Sequence, residues 1–281
     1  MHDIIDIHPH VLSANESAYP LAPLGGTVSG WASTRPVTAE QLLAGMDEAG
    51  IAKAALVQAS TAYGYDNSYV LDSAARYPDR FAAVACADPL APDVARTVRK
   101  LAAHPRLAGI RLFTTGSTMP GQAQWLNDEQ THPFWAAAAE AGVPVCVQMR
   151  LAGKDQLVDV LERFTGARIV LDHMAYPPIA PGQERAAADQ LIPLAKYPQL
   201  YLKMTVRNTE PLSECDAQEF LGPLLGAFGP GRIAWGSNFP AAEQPLGTLV
   251  ELARAAVGKL PERDRAAIFS GTARSLYPVL D

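Results

Sequence analysis

The 281-residue sequence has no run of basic residues: 23 Lys and Arg are scattered singly among 29 Asp and Glu, for a net charge of -6. That excludes the electrostatic footprint of a nucleic-acid-binding protein and leaves a small molecule as the default partner. Cysteine is scarce, with Cys86, Cys146 and Cys215 far apart and without C-x-x-C spacing. Neither a disulfide framework nor a structural zinc site is expected, and Cys86 and Cys146, in apolar runs, read as buried thiols. No apolar stretch approaches the ~18 residues of a membrane span. The opening MHDIIDIHPH lacks the basic and long apolar regions of a secretory signal, so a soluble, cytoplasmic protein with no membrane partner is expected. Also missing is a Gly-rich phosphate turn after the first apolar run, where DIHPHVLS stands instead, which argues against a dinucleotide-binding open sheet.

What is present is apolar sequence, 48% of the chain, enough for a large core at this length. It is parcelled into eight short runs: DIIDIH (3 to 8), KAALVQA (53 to 59), FAAVACA (81 to 87), AGIRLF (108 to 113), VPVCVQM (143 to 149), RIVLDH (168 to 173), LYLKMT (200 to 205) and RIAWGS (232 to 237). Helix-period segments separate them, beginning near Thr38, Asp66, Pro92, Thr131, Lys154, Gln183, Glu214 and Gln244. A further helix is expected from about Glu262 to Leu276. Near-continuous apolar strands alternating with helices predict a parallel sheet covered on its outside. Eight such units are the arithmetic of an α/β (β/α)8 TIM barrel, here one domain over 1–281. Two segments, 9–37 and 114–130, are long and rich in Gly, Pro, Ser and Asn. Both follow strands, the side on which a barrel builds its site.

The barrel reading sends the C-terminal ends of the runs to one mouth. Candidates there are His8 and His10, then Ser60, Tyr63, Tyr65, Asp66 and Asn67 of STAYGYDN, then Arg111, Gln148, Arg150, Asp172, His173, Arg207 and Asn238. His-x-His on a strand puts both imidazoles on one face, to bind a metal with His173 or to polarise a carbonyl. Asp172, next to His173, is expected to point the other way and anchor a loop. Arg111, inside GIRLF, needs an anion, either a substrate carboxylate or an internal acid. Arg150 and Arg207 would add to an anion site, and His104 and His132 read as surface or capping residues.

DIHPH, DHMAYP and WGSNFP, together with the stretch from ALVQAS to ACADP, GIRLF and YLKMT, resemble the signatures of the amidohydrolase superfamily. The likeness is to its amidohydrolase-2 group and, within it, to the branch of lactonases acting on 2-pyrone-4,6-dicarboxylate and on sugar lactones. The resemblance implies a distorted (β/α)8 barrel. It also implies a hydrolase in which His8, His10 and His173 polarise a lactone carbonyl, Arg111, Arg150 and Arg207 hold carboxylates, and Ser60, Tyr63 and Gln148 add contacts. That branch needs no metal. Metal-dependent relatives take ligands from the strand-1 histidines, strand 5, the strand-6 histidine and a strand-8 Asp, so any divalent zinc here would fall to His8, His10 and His173. Gln148 or Met149 stands where the strand-5 ligand is expected, and Asn238 replaces the Asp that activates water. An amide can orient water but cannot deprotonate it. Either another base, such as Asp66, Glu243 or a histidine, takes the proton, or the Asp was exchanged to trap a substrate, or hydrolysis has been lost. The rival expectations are a zinc-dependent decarboxylase or hydratase and a non-catalytic dicarboxylate-binding protein. A monomer or homodimer is expected.

Overall fold

In a computed structural model, residues 3–281 are described; His2, given no role above, lies outside them. Eight strands, β1 (Ile4–Asp6), β2 (Ile51–Val57), β3 (Phe81–Cys86), β4 (Leu107–Phe113), β5 (Val145–Gln148), β6 (Ile169–Leu171), β7 (Leu200–Met204) and β8 (Ile233–Trp235), pair in sequence order. All seven pairings are parallel. Helices intervene: α1 (Gly30–Thr34), α2 (Ala39–Ala49), α3 (Ser60–Tyr63), α4 (Ser68–Arg76), α5 (Val94–Ala102), α6 (His132–Glu140), α7 (Lys154–Arg163), α8 (Glu184–Asp189), α9 (Val206–Leu212), α10 (Ala217–Phe228) and α11 (Leu246–Val257). The expected terminal helix is α12 (Glu262–Ala266) and α13 (Thr272–Leu276), joined by a π-helical turn at Ala267–Gly271. Every predicted strand overlaps an observed one. The short helices α1, α3 and α9 lie in segments that carried no helical period in the sequence.

Side chains alternate across the sheet with period 2, and burial follows. Ile4, Ala54, Leu56, Ile110, Leu112 and Leu202 face the helices and form the outer core. Ile5, Ile7, Ala55, Val57, Cys146 and Val170 face inward with Leu276, Tyr277 and Leu280. Arg111, Lys203 and Asp172 share the inward parity, so three charged side chains are sent into the barrel just below its mouth. All three are buried, Lys203 and Asp172 completely.

The seam between β8 and β1 is closed after the strands rather than along them. Asp6 Oδ1 accepts from the backbone N–H of His8 at 2.9 Å and of Ser237 at 2.8 Å. Asn238 N donates to His8 O at 3.1 Å, and His10 N to Phe239 O at 2.7 Å. Gly236 is required at this seam, because a Cβ there would meet the His8 Cβ at 2.6 Å.

Candidate active site

A cavity of about 440 Å³ opens at the C-terminal ends of the strands. Both long post-strand segments contribute to it, Trp31 from one and Thr115 to Thr118 from the other. His10, Ser60, Arg111, Gln148, Arg150, His173, Arg207 and Asn238 line it, so eight of the ten residues to which the family resemblance gave a role share one wall. Trp31, Gln58 and Tyr176 also line it and were not singled out.

The other two require correction. Tyr63 packs under the 9–37 segment, where its hydroxyl accepts from the Ser13 N–H at 2.8 Å; it contacts no part of this cavity. His8 is fully buried beneath the cavity floor rather than in its wall. Its Nδ1 lies 3.1 Å from Lys203 Nζ, and its Nε2 lies 3.5 Å from Arg111 Nη2. The two acids offered as replacement bases are also displaced. Asp66 is exposed and accepts from Ser68, while the Glu243 side chain is 84% exposed and pairs with Arg35.

Asp172 is a third correction. It does not point away from the mouth: its Oδ2 accepts from Arg111 Nε at 2.8 Å and its Oδ1 pairs with Lys203 Nζ at 2.7 Å. Val170 and Asp172 share the inner face by strand alternation, and His173 reaches the cavity for a different reason. After Leu171 the chain turns left-handed, with φ of 55, 52, 59 and 57° at His173, Met174, Ala175 and Tyr176. Each such residue costs roughly 1–2 kcal/mol, so the turn persists only because its surroundings over-determine it. The capping box of α9 supplies that hold. Asn208 Nδ2 donates to His173 O at 3.0 Å, Asn208 Oδ1 accepts from Thr205 N, and Thr205 Oγ1 lies 2.7 Å from His173 Nδ1. The same cap starts the helix on which Arg207 stands, so one local motif sets both groups.

The electrostatics divide into a charged floor and a neutral wall. Burial alone would raise the Asp172 pKa, but the Lys203 ammonium and then the Arg111 guanidinium hold it well below the ordinary carboxylate range. Burial, reinforced by Lys203 and Arg111, keeps His8 neutral. Burial is also the main reason that His10 and His173 are pushed down to about 3. Both wall imidazoles are therefore neutral at pH 7. His10 Nδ1 is 2.9 Å from the Val57 carbonyl, which can only accept, so Nδ1 carries the proton and Nε2 keeps its lone pair. Its ring stacks on Trp31 at 5.2 Å. In His173 the order is reversed. Thr205 Oγ1 accepts from the Arg207 N–H and, in the capping box, from the Asn208 N–H, so both of its lone pairs are used and its own proton goes to His173 Nδ1, leaving Nε2–H as a donor. Tyr176 accepts from Gln148 Nε2 at 3.1 Å and, kept protonated by burial, retains a hydroxyl proton to give.

Arg111 is committed to Asp172 and to Gln148 Oε1, so its anion is internal. Arg150 and Arg207 differ. Both guanidiniums line the cavity, Arg150 lies over the Tyr176 ring at 5.3 Å, and among the described residues neither has an acidic partner.

A divalent ion on His8, His10 and His173 would need three converging lone pairs. His8 turns one ring nitrogen to an ammonium and the other to a guanidinium, and the His173 donor set is tied to Thr205. Among the described residues no group of three His, Cys, Asp or Glu side chains is arranged to hold a metal, so that ligand set does not fit.

These shifts set a pH dependence. His10 and His173 have folded pKa values near 3 against an ordinary 6.5, so the unfolded chain binds more protons between those limits. The stability they contribute is complete above pH 6.5 and is lost as pH falls toward 3. Each adds a slope of up to ~1.4 kcal/mol per pH unit inside the window. Urea midpoints measured at pH 7 and pH 5 should therefore differ, with the lower at pH 5; His10→Gln should reduce that difference.

A parallel eight-stranded barrel with its polar groups gathered at the C-terminal ends of the strands has the architecture of a (β/α)8 enzyme. Residues 5–279 match the family model described as amidohydrolase, and the chain belongs to that family. A curated relative, L-fucono-1,5-lactonase of Burkholderia ambifaria, is 26% identical over 243 residues, 85% of this chain and 80% of that protein. Among solved structures, a 2-pyrone-4,6-dicarboxylic acid hydrolase from Pseudomonas putida superposes with a TM-score of 0.78 at 24% identity, covering 99% of this chain and 98% of that one. An amidohydrolase from Burkholderia multivorans with bound zinc gives 0.73 at 20% identity over 98% and 99%. At these identities the two structures show the shared fold.

Proposed function

We propose that this protein is a hydrolase that opens a carboxylate-bearing lactone without requiring a metal. The observation that carries this reading is the meeting, across one cavity, of two acid-free guanidiniums, Arg150 and Arg207, with two neutral imidazoles, His10 and His173. Guanidinium is the natural partner of a carboxylate, and a lactonase relative makes a cyclic ester the class to test.

The substrate carboxylate docks on Arg150 and Arg207, bringing the ring carbonyl toward His173. The Asn238 amide orients a water, and His10 Nε2 accepts its proton as the oxygen attacks. The tetrahedral oxyanion is met by His173 Nε2–H and the Tyr176 hydroxyl, donors held in place before the reaction. The ring C–O bond then breaks, and His10 returns the proton to the departing oxygen. A bound anion also offsets the cationic floor that helps to hold the His10 pKa down, so the base strengthens when substrate is present.

The test is hydrolysis of a lactone panel by chelator-treated protein. Carboxylate-bearing lactones are expected to turn over and their uncharged analogues to turn over poorly. Arg150→Ala and Arg207→Ala should each raise KM by roughly 10- to 100-fold, the worth of a hydrogen bond to a charged group. Activity lost to chelation and regained with zinc would overturn the metal-free reading. Tight binding of a dicarboxylate with no turnover of any lactone would make this a binding protein.

A further inference from the structure

We propose that the catalytic cavity has an apolar side compartment, and that the substrate carries an aryl or branched alkyl substituent beside its carboxylate. The proposal rests on the reading of Arg150 and Arg207 as the carboxylate site. A space of about 240 Å³ lies next to the catalytic cavity, on the β3–β4 side of the mouth. Its apolar lining is Leu24 from the 9–37 segment, Leu90 after β3, Leu112 and Phe113 at the end of β4, and Met119 and Trp125 from the 114–130 segment. Arg111, Phe113 and Thr118 line both spaces, so the two share a partition. The two long segments meet at this place. Gly25, with φ of 89°, comes so close that a Cβ on it would crowd Thr118 O at 3.1 Å.

The lining decides what fits. Two charged side chains reach the compartment, and both are engaged: Arg111 with Asp172 and Gln148, and Asp88 as acceptor of the Leu90 N–H at 3.0 Å. Asp88 also opposes a second carboxylate here, because like charges brought together are costly. An uncharged, apolar group is the fitting occupant. Exposure points the same way. Among the described residues the exposed large hydrophobic side chains are Leu21, Tyr65 and Leu90, and the last two belong to this lining. Exposed apolar side chains gathered at a cavity, unlike scattered ones, mark a ligand site. Size sets the upper limit. An apolar cavity of ~150 Å³ takes up benzene, so the compartment has room for a phenyl ring. With the carboxylate on Arg150 and Arg207, such a substituent crosses the rim at Phe113 and Thr118, and Leu90 and Met119 become residues that determine specificity.

Calorimetric titration with succinate and with 2-benzylsuccinate tests the compartment without requiring turnover. Benzylsuccinate should bind the unaltered protein about 10- to 100-fold more tightly, the worth of burying a phenyl group. Leu90→Asn/Met119→Asn, at positions that are not buried, should bring the two dissociation constants together while leaving that of succinate unchanged. Arg150→Ala should instead weaken both ligands by the same factor. Failure of benzylsuccinate to bind, equal dissociation constants in the unaltered protein, or a preference that survives in the double variant overturns the proposal. Hydrolysis of coumalate, a pyrone bearing one carboxylate, reports separately on the lactonase reading. Turnover without an aryl preference rejects the compartment alone, and an aryl preference without turnover of any lactone rejects the hydrolase alone.

Discussion

His10→Ala lowers kcat for a carboxylate-bearing lactone by about 10²–10⁴-fold, the range a positioned general base supplies, while KM changes far less. The expectation follows by elimination as much as by position. Asn238 cannot take a proton, Asp66 and Glu243 face solvent away from the cavity, Asp172 is bound between two cations, and His8 lies under the floor. His173 presents a proton rather than a lone pair. Among the described residues only His10 combines a wall position with an unprotonated ring nitrogen. Because its pKa is pushed down to about 3, chiefly by burial, the acid limb of kcat/KM should fall below pH 6.5, where a solvent-exposed histidine would place it. Steady-state kinetics of His10→Ala and a pH profile of the unaltered enzyme check both parts. An unchanged kcat in the variant removes His10 from the reaction.

Asp172→Asn destabilises the fold by about 3–5 kcal/mol, the cost of breaking a buried pair by removing one partner. The carboxylate is the shared counter-charge of Lys203 and Arg111, and its replacement leaves two buried cations facing an amide. Urea unfolding should show the midpoint falling at constant m-value. A surface pair such as Arg185 with Asp189, 62% and 51% exposed, is worth ~0–1 kcal/mol, so Asp189→Asn serves as the contrast. Equal effects at the two positions would mean that the floor is not electrostatically coupled.

The barrel was legible in the sequence because each parallel strand is buried on both faces and so writes itself as a short apolar run. The helix start at Thr38 was visible for a similarly local reason, a threonine that caps the periodic segment after it. The site was legible where a strand carried its residue to the mouth, as with Arg111 and Gln148. It failed where local backbone overrode alternation. Counting by twos put His173 inward and so Asp172 outward, whereas the strand sends Asp172 in and a left-handed turn brings His173 round to join it. Tyr63 sits in a segment without periodicity, which gives its direction no signal. Lys203 was missed although its signal was the one that marked Arg111, a charge inside an apolar strand run. Nothing in the sequence says that Glu243, five residues beyond Asn238, leaves on a surface loop.

The left-handed turn from His173 to Tyr176 also limits how this mouth can be reshaped. Branching at Cβ is poorly tolerated at positive φ, so valine, isoleucine or threonine at 174 or 175 would distort the backbone that aims two of the site's proton donors. Engineering toward a bulkier or differently charged ring is better begun at Thr115 to Thr118 or at Arg150, where the rim can vary while the turn stays as it is.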